Sequence, residues 1–144
     1  MALLVYVNDM ILAGNDLVLC ASFKQYLNKC FHIKDLGALK YFLGIEVVRN
    51  SQGLFLCQQK YVLDIISECE LLGSKPTDSP MQVNHKLAMA AGAPLSDATR
   101  YQRLVGRLIY LTFTCFELSY AVYILCQYMQ APKEDHLDAA RRVR

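Results

Sequence analysis

Leu3-Leu4-Val5-Tyr6-Val7-Asn8-Asp9-Met10-Ile11-Leu12 is the stretch on which the reading of the fold turns. Two apolar runs separated by two turn-forming residues predict a β-hairpin with Asn8-Asp9 at its tip. Asn and Asp serve as turn formers in many proteins, because their side chains bond to nearby backbone and tolerate left-handed conformations. A carboxylate at the tip of a buried hairpin is also unusual chemistry, so the segment alone leaves both roles open.

Outward from the hairpin, Gly14-Asn15-Asp16 breaks the strand and places Asp16 as a helix N-cap. Across residues 17–31, Leu19, Cys20, Phe23, Tyr26, Leu27 and Cys30 recur at three- and four-residue steps. That period predicts an amphipathic helix packed across the hairpin's sheet, with Lys24, Gln25, Asn28 and Lys29 on its solvated side. After a short linker at 33–37, the apolar runs 41–49 and 54–57 flank Asn50-Ser51-Gln52-Gly53, which predicts a second hairpin. Gly44 falls inside the first of these runs, where glycine marks either a bulge or a close backbone approach.

Residues 58–72 read as a second amphipathic helix, with Tyr61, Val62, Ile65, Ile66 and Cys69 on one side. Gly73 is placed to terminate it and Pro76 to stop any continuation. From 74 to 96 the chain becomes rich in Pro, Gly and small residues without a sustained period; Ala88-Met89-Ala90-Ala91 there forms a brief helical turn at most. The reading is a linker at 74–96 between a hairpin-bearing half, 1–73, and a helical half, 97–144.

Ser96-Asp97 caps the next helix, which runs to about residue 113. On its wheel Tyr101, Leu104, Val105, Leu108, Ile109, Leu111 and Thr112 fill one arc. Gln102, Gly106 and Tyr110 form a row on the remaining surface, with Arg100, Arg103 and Arg107 in the row beside it. A small residue between an amide and an aromatic lets a nucleic-acid backbone or groove come close, and neighbouring arginines pair with phosphates. Three arginines on a helix also describe an ordinary solvated face. An apolar helix at 118–129 follows, too short to span a bilayer. After Ala131-Pro132 a last helix carries Glu134 and Asp135 early and Arg141, Arg142 and Arg144 late, which suits the helix dipole.

Composition narrows the classes. A net charge of +2 does not by itself argue for nucleic acid, and 54% hydrophobic residues against 19% charged is apolar enough to expect surface that meets other protein. The six cysteines form no Cys-X-X-Cys pair and the three histidines are dispersed, so zinc-site spacing is absent and free thiols in an intracellular setting are expected. Neither a secretory signal nor a membrane span fits the N-terminal run.

Taken together these segments resemble the reverse transcriptases of copia-type LTR retrotransposons. Residues 3–12 resemble the family's Tyr-X-Asp-Asp hairpin, and Asp35-Leu36-Gly37 through Glu46-Val47 resemble one of its signatures. Within that signature Phe42-Leu43-Gly44-Ile45-Glu46 looks like the primer grip, which favours the close-approach reading of Gly44. Leu104-Val105-Gly106-Arg107-Leu108 resembles the thumb helix of reverse transcriptases, which turns the row Gln102, Gly106 and Tyr110, with Arg103 and Arg107, towards a template-primer duplex. The resemblance implies an α+β fold, a partial palm of two β-hairpins with packed helices followed by a helical thumb. It also implies an RNA-directed DNA polymerase ancestry using Mg2+, in the cytoplasm or nucleus. Where the family usually has Thr-Arg-Pro-Asp this chain reads Thr114-Cys115-Phe116-Glu117, losing a charge and a rigid turn.

In that family two hairpin aspartates and a third from an upstream strand hold the paired magnesium ions. Here Asp9 keeps the second, Asn8 replaces the first, and the sequence is expected to begin too late to contain the upstream one; the family goes on to a connection and a ribonuclease H domain, and this sequence is expected to stop before them. Nucleotidyl transfer asks several carboxylates to converge on two ions about 4 Å apart, and an asparagine oxygen is a poorer ligand for a hard cation. Asp16 reads as a cap, Asp35 as part of a linker and Glu46 as a strand residue, so Asp9 remains as a weak or empty metal ligand. The expectation is a fragment inactive alone, with residual template-primer binding. The alternatives are a reused remnant that binds protein or itself through the apolar face of 3–12, and an active polymerase completed by a separate chain.

Overall fold

In the computed structural model, all residues except Pro76, Asp78, Val83 and Arg144 are described, so the expected roles of Pro76 and Arg144 lie outside the described residues. Ala2–Tyr6 (β1) and Asp9–Ala13 (β2) pair antiparallel, with Leu4 opposite Ile11 and Tyr6 opposite Asp9. The turn is therefore Val7-Asn8, and Asp9 opens β2 instead of sharing the tip. A two-residue loop matches the twist of its strands, and closing it on Tyr6 and Asp9 draws Val7 into the turn at φ +50. That conformation is costly for a β-branched residue, which is why residue types alone put the turn one position late.

Leu17–Phe31 (α1) has the expected limits, and the Asp16 side chain accepts from the Leu19 N–H at 2.9 Å. It closes at His32, whose left-handed backbone returns its N–H to Asn28 at 3.0 Å. Packing across the sheet does not follow: Leu27 is the one buried residue of α1, and Leu17 and Val18 are each 80% exposed. The helix approaches the end of β2 at Gly14, where an added Cβ would sit 2.9 Å from the Cys20 sulfur. Lys24 reaches Asp35 at 2.9 Å, and Asp35 also accepts from the Gly37 N–H, tying down the turn after the helix.

A second sheet has the order β3, β4, β5, formed by Tyr41–Phe42, Ile45–Asn50 and Gly53–Cys57. The expected single strand over 41–49 is broken by a two-residue turn, because Phe42 pairs with Ile45 and Leu43-Gly44 take φ +50 and +82. Positive φ at both central positions is the type I′ hairpin geometry. Gly44 is thus a turn glycine and not an in-strand bulge. The second turn, at Ser51-Gln52, is built by the Asn50 side chain accepting from the N–H groups of Gln52 and Gly53 at 2.8 and 2.9 Å.

Two compact units divide between Phe55 and Leu56, inside β5 and ahead of the stretch expected to act as a linker. The second unit contains Gln59–Glu68 (α2), a 3-10 turn at Leu87–Met89, Ala98–Leu111 (α3), a 3-10 turn at Phe116–Leu118, Ser119–Cys126 (α4) and Glu134–Arg142 (α5). Helix α2 stops four residues before the expected end: Glu70 takes φ +59, its N–H bonds to Ser67 and that of Leu71 to Ile66, each at 3.0 Å. This pair of returning bonds is a Schellman closure with Glu in the place glycine usually fills, and Gly73 lies in the turn beyond it.

Ile65, Tyr101, Val105, Leu108, Leu125 and Leu137 anchor one core shared by α2 to α5. The 74–96 stretch feeds that core with Met81 and Leu87, both buried, instead of separating two halves. Its later part is stitched to the start of α5: Gly92 N–H to Asp135 at 3.0 Å, Lys133 Nζ to the Ala90 carbonyl at 2.7 Å, and Glu134 N–H to Ala93 at 3.1 Å. Buried His136 completes the joint, accepting from the Lys133 N–H at Nδ1 and facing the Leu87 carbonyl with Nε2, both at 3.0 Å, while its ring stacks on Tyr128 at 4.0 Å. The protein is thus α+β, with two small antiparallel sheets and five α-helices among the described residues. Among the described residues no helix is long and apolar enough to cross a membrane.

Candidate functional site

Helix α3 starts where the Asp97 side chain accepts from the Thr99 N–H at 2.9 Å. The Thr99 hydroxyl and N–H, with Arg103 nearby, hold the Asp97 carboxyl below its usual value. Tyr101, Leu104, Val105, Leu108 and Leu111 bury one face, and the Tyr101 hydroxyl donates to the Leu125 carbonyl at 2.7 Å. Burial pushes the Tyr101 phenol well above its ordinary range. Ile109, expected inside, is 42% exposed, because the buried arc is narrower than the apolar residues that could fill it.

The other side of α3 brings Gln102, Arg103, Gly106, Arg107 and Tyr110 together on one surface. Gln102 and Arg103 are exposed, and Arg107 and Tyr110 half-buried. The Gln102 amide donates to the Met129 carbonyl at 2.9 Å. Tyr110 meets the rings of Tyr61 and Phe113 edge-on, with centroids 5.2 and 5.6 Å apart. Arg107 lies over Tyr61, its guanidinium carbon 5.2 Å from the ring centroid. Gly106 stands apart: it is exposed, and a Cβ added there would meet nothing within 4 Å.

Glycine in a helix interior costs about 0.5 to 1 kcal/mol relative to alanine. Among the described residues, no packing at Gly106 offsets that cost. Two neighbours went unnoticed in the sequence. Glu68, at the end of α2, pairs with Arg107 and, at 3.1 Å, with Arg103. Arg141 of α5 lines the same cleft, with Arg100. No local spacing signals either, since both arrive from other helices.

The hairpin chemistry is thinner. Asp9 is exposed at the start of β2, next to Asn8 in the turn. Among the described residues no three His, Cys, Asp or Glu side chains lie close enough to share an ion. A pair of magnesium ions needs converging carboxylates, so the donor set here does not fit it. Phe42, Leu43, Gly44, Ile45 and Glu46 form the half-buried apex and flanks of the type I′ turn. Their projection is a tight hairpin, a different shape from the extended strand expected.

Comparison with known proteins gives this geometry a context. The family described as reverse transcriptase (RNA-dependent DNA polymerase) matches residues 1–83. Over 141 residues the chain is 45% identical to a retrovirus-related Pol polyprotein from transposon RE2 and 42% identical to that from transposon RE1, both of Arabidopsis thaliana. Each match covers 98% of this chain and 10% of the polyprotein. An uncharacterized mitochondrial protein of the same plant is 37% identical over 143 residues, which are 99% of this chain and 59% of that protein. The chain therefore spans about a tenth of the polyproteins and little more than half of the mitochondrial protein. No solved structure matches it.

Proposed function

The chain belongs to the reverse transcriptase (RNA-dependent DNA polymerase) family, and from that premise we propose that it is a palm-and-thumb piece that touches a template-primer duplex through α3 and does not extend a primer by itself. The palm elements are the two hairpins, with Phe42 to Glu46 as the primer-grip hairpin, and the thumb is the helical unit. The observation that carries the duplex contact is Gly106. It opens bare helix backbone on an exposed face between Gln102 and Tyr110, and among the described residues no neighbour accounts for it. Arg103 and Arg107 supply charge for phosphate along the same edge.

Inactivity rests on donor count. These residues bring one carboxylate, Asp9, to the hairpin turn, where two-metal phosphoryl chemistry uses several. Reverse transcriptases use a divalent metal, and no step through one is assigned to this chain.

The test is fluorescence anisotropy with a primed RNA–DNA duplex across a potassium chloride series. Binding should appear at low salt and weaken as salt rises, and Arg103→Ala with Arg107→Ala should reduce the log–log slope by about two. No binding at low salt, or a slope untouched by both substitutions, contradicts the α3 reading. Primer extension with magnesium or manganese should be absent in the native chain and in Asn8→Asp, and templated extension by the native chain alone would overturn inactivity.

A second reading has its own observation. Leu4, Val5, Tyr6 and Val7 are 52, 58, 56 and 79% exposed, an apolar stretch of the kind that marks protein contact. On that reading the chain self-associates through β1, and sedimentation velocity should show dimers or larger species that Val5→Lys converts to monomer. A clean monomer at high concentration removes it.

A further inference from the structure

Helices α2, α3 and α5 enclose a cleft lined by Arg100, Arg103 and Arg107, by Arg141, and by the carboxylate of Glu68. Arg103 Nη2 meets one Glu68 oxygen at 3.1 Å and Arg107 Nη1 meets the other. Each oxygen of one anion is thus taken by a different arginine. We propose that Glu68 is an internal stand-in for phosphate: its carboxylate holds the α3 arginines until a phosphate group displaces it. With the α3 reading above, on which this identification of the source rests, that phosphate belongs to the duplex backbone.

Three features argue for a displaceable anion. First, charge is in surplus. Four arginines line the cleft; Arg103 and Arg107 pair with Glu68, Arg141 with Asp138 at 3.3 Å, and Asp97 lies near Arg103, so four cationic groups meet three carboxylates. A backbone phosphodiester presents two anionic oxygens, as a carboxylate does, but it is not tethered to the end of α2, so successive phosphates of a strand can engage Arg100 and Arg141 as well as the two arginines already paired, and arginine forks suit them.

Second, one of the two pairs that hold the incumbent is exposed. The side chains of Glu68 and Arg103 are 41 and 66% exposed, and ion pairs in that setting contribute little against competing anions and salt. Third, one receptor group is already in place. Arg107 is only 24% exposed and lies over the Tyr61 ring. It keeps its position when its partner leaves.

The experiment uses the full chain in its native form, as Glu68→Gln, as Glu70→Gln, and as Arg100→Ala. Glu70→Gln removes the same charge outside the cleft. The probes are the labelled primed duplex, read by anisotropy over a salt series, and inorganic phosphate, read as a melting shift against chloride at matched ionic strength. Glu68→Gln should bind the duplex about fivefold tighter at low salt, with a log–log slope steeper by about one. It should also gain melting temperature in phosphate, where the native chain and Glu70→Gln change little.

Equal tightening in Glu68→Gln and Glu70→Gln would reduce the effect to net charge and overturn the proposal. So would a native chain that binds duplex while Glu68→Gln binds no better and ignores phosphate; the α3 reading would then survive alone. A phosphate response in Glu68→Gln with no duplex bound by any form supports the stand-in and overturns the duplex as its source. Should Glu68→Gln fail to fold, Arg100→Ala leaves both Glu68 pairs in place. It should flatten the salt slope, and an unchanged slope overturns the proposal.

Discussion

Leu4 of β1 and Leu108 of α3 are the same residue type in the two compact units, yet Leu4 is 52% exposed and Leu108 1%. The difference is general. Met1–Phe55 contains a two-stranded hairpin, a helix with one buried residue and strands of a small sheet, whereas Leu56–Arg144 contains a contiguous core of buried residues. A lone two-stranded hairpin is marginal in water. The helical unit has a closed core and leaves outward both the arginine-bearing face of α3 and apolar side chains such as Phe113, Phe116, Tyr120 and Tyr123. The hairpin unit leaves apolar side chains outward with little core beneath them, whereas α3 carries the arginines on which the proposed duplex contact rests.

The largest effect that would sharpen this contrast is truncation of matched leucines. Leu108→Ala should lower unfolding free energy by about 2 to 5 kcal/mol, while Leu4→Ala should change it by no more than about 0.5 kcal/mol. Comparable losses in urea melts would break the contrast. Next comes Tyr101→Phe, which leaves the Leu125 carbonyl without its 2.7 Å donor inside the core and should cost about 1 to 2 kcal/mol.

Gly92→Ala should be milder and also destabilising, because its Cβ would fall 2.9 Å from the Asp135 carboxylate and 3.2 Å from backbone. A neutral Gly92→Ala would mean that the joint between 74–96 and α5 yields easily. The smallest effect is acid sensitivity. Asp97 has a lowered folded pKa, so its contribution is present above the unfolded value near 3.8 and is lost as pH falls through the lowered folded value. Asp97→Asn keeps a capping side chain without the titration. Its melting temperature should therefore decline less than that of the native chain as pH drops below about 4, and parallel declines would rule this source out.

Local features were legible in advance. Asp16 and Asp97 cap helices where side-chain chemistry placed them, and α1 has the limits its period indicated. Turn positions were less so: Val7 and Leu43 adopt positive φ although neither is a turn-forming type, because strand pairing on both sides dictated a two-residue loop. Helix α2 ended at a glutamate for a similar reason, its returning hydrogen bonds overriding residue preference. Tertiary partners were beyond reach. Nothing near Glu68 announces Arg103 and Arg107, and His136 meets Leu87 across 49 positions. The row on α3 could be drawn from the wheel, but which of its members were already engaged could not.

Gly106→Ala, measured for stability and for duplex affinity on the same sample, tests the central claim most directly. Alanine meets open space there and improves helix propensity, so the melting temperature should rise by an amount equivalent to about 0.5 to 1 kcal/mol. If α3 lies against a duplex at this position, the added methyl should weaken binding at low salt even as the fold gains. A rise in stability with unchanged affinity would contradict the account.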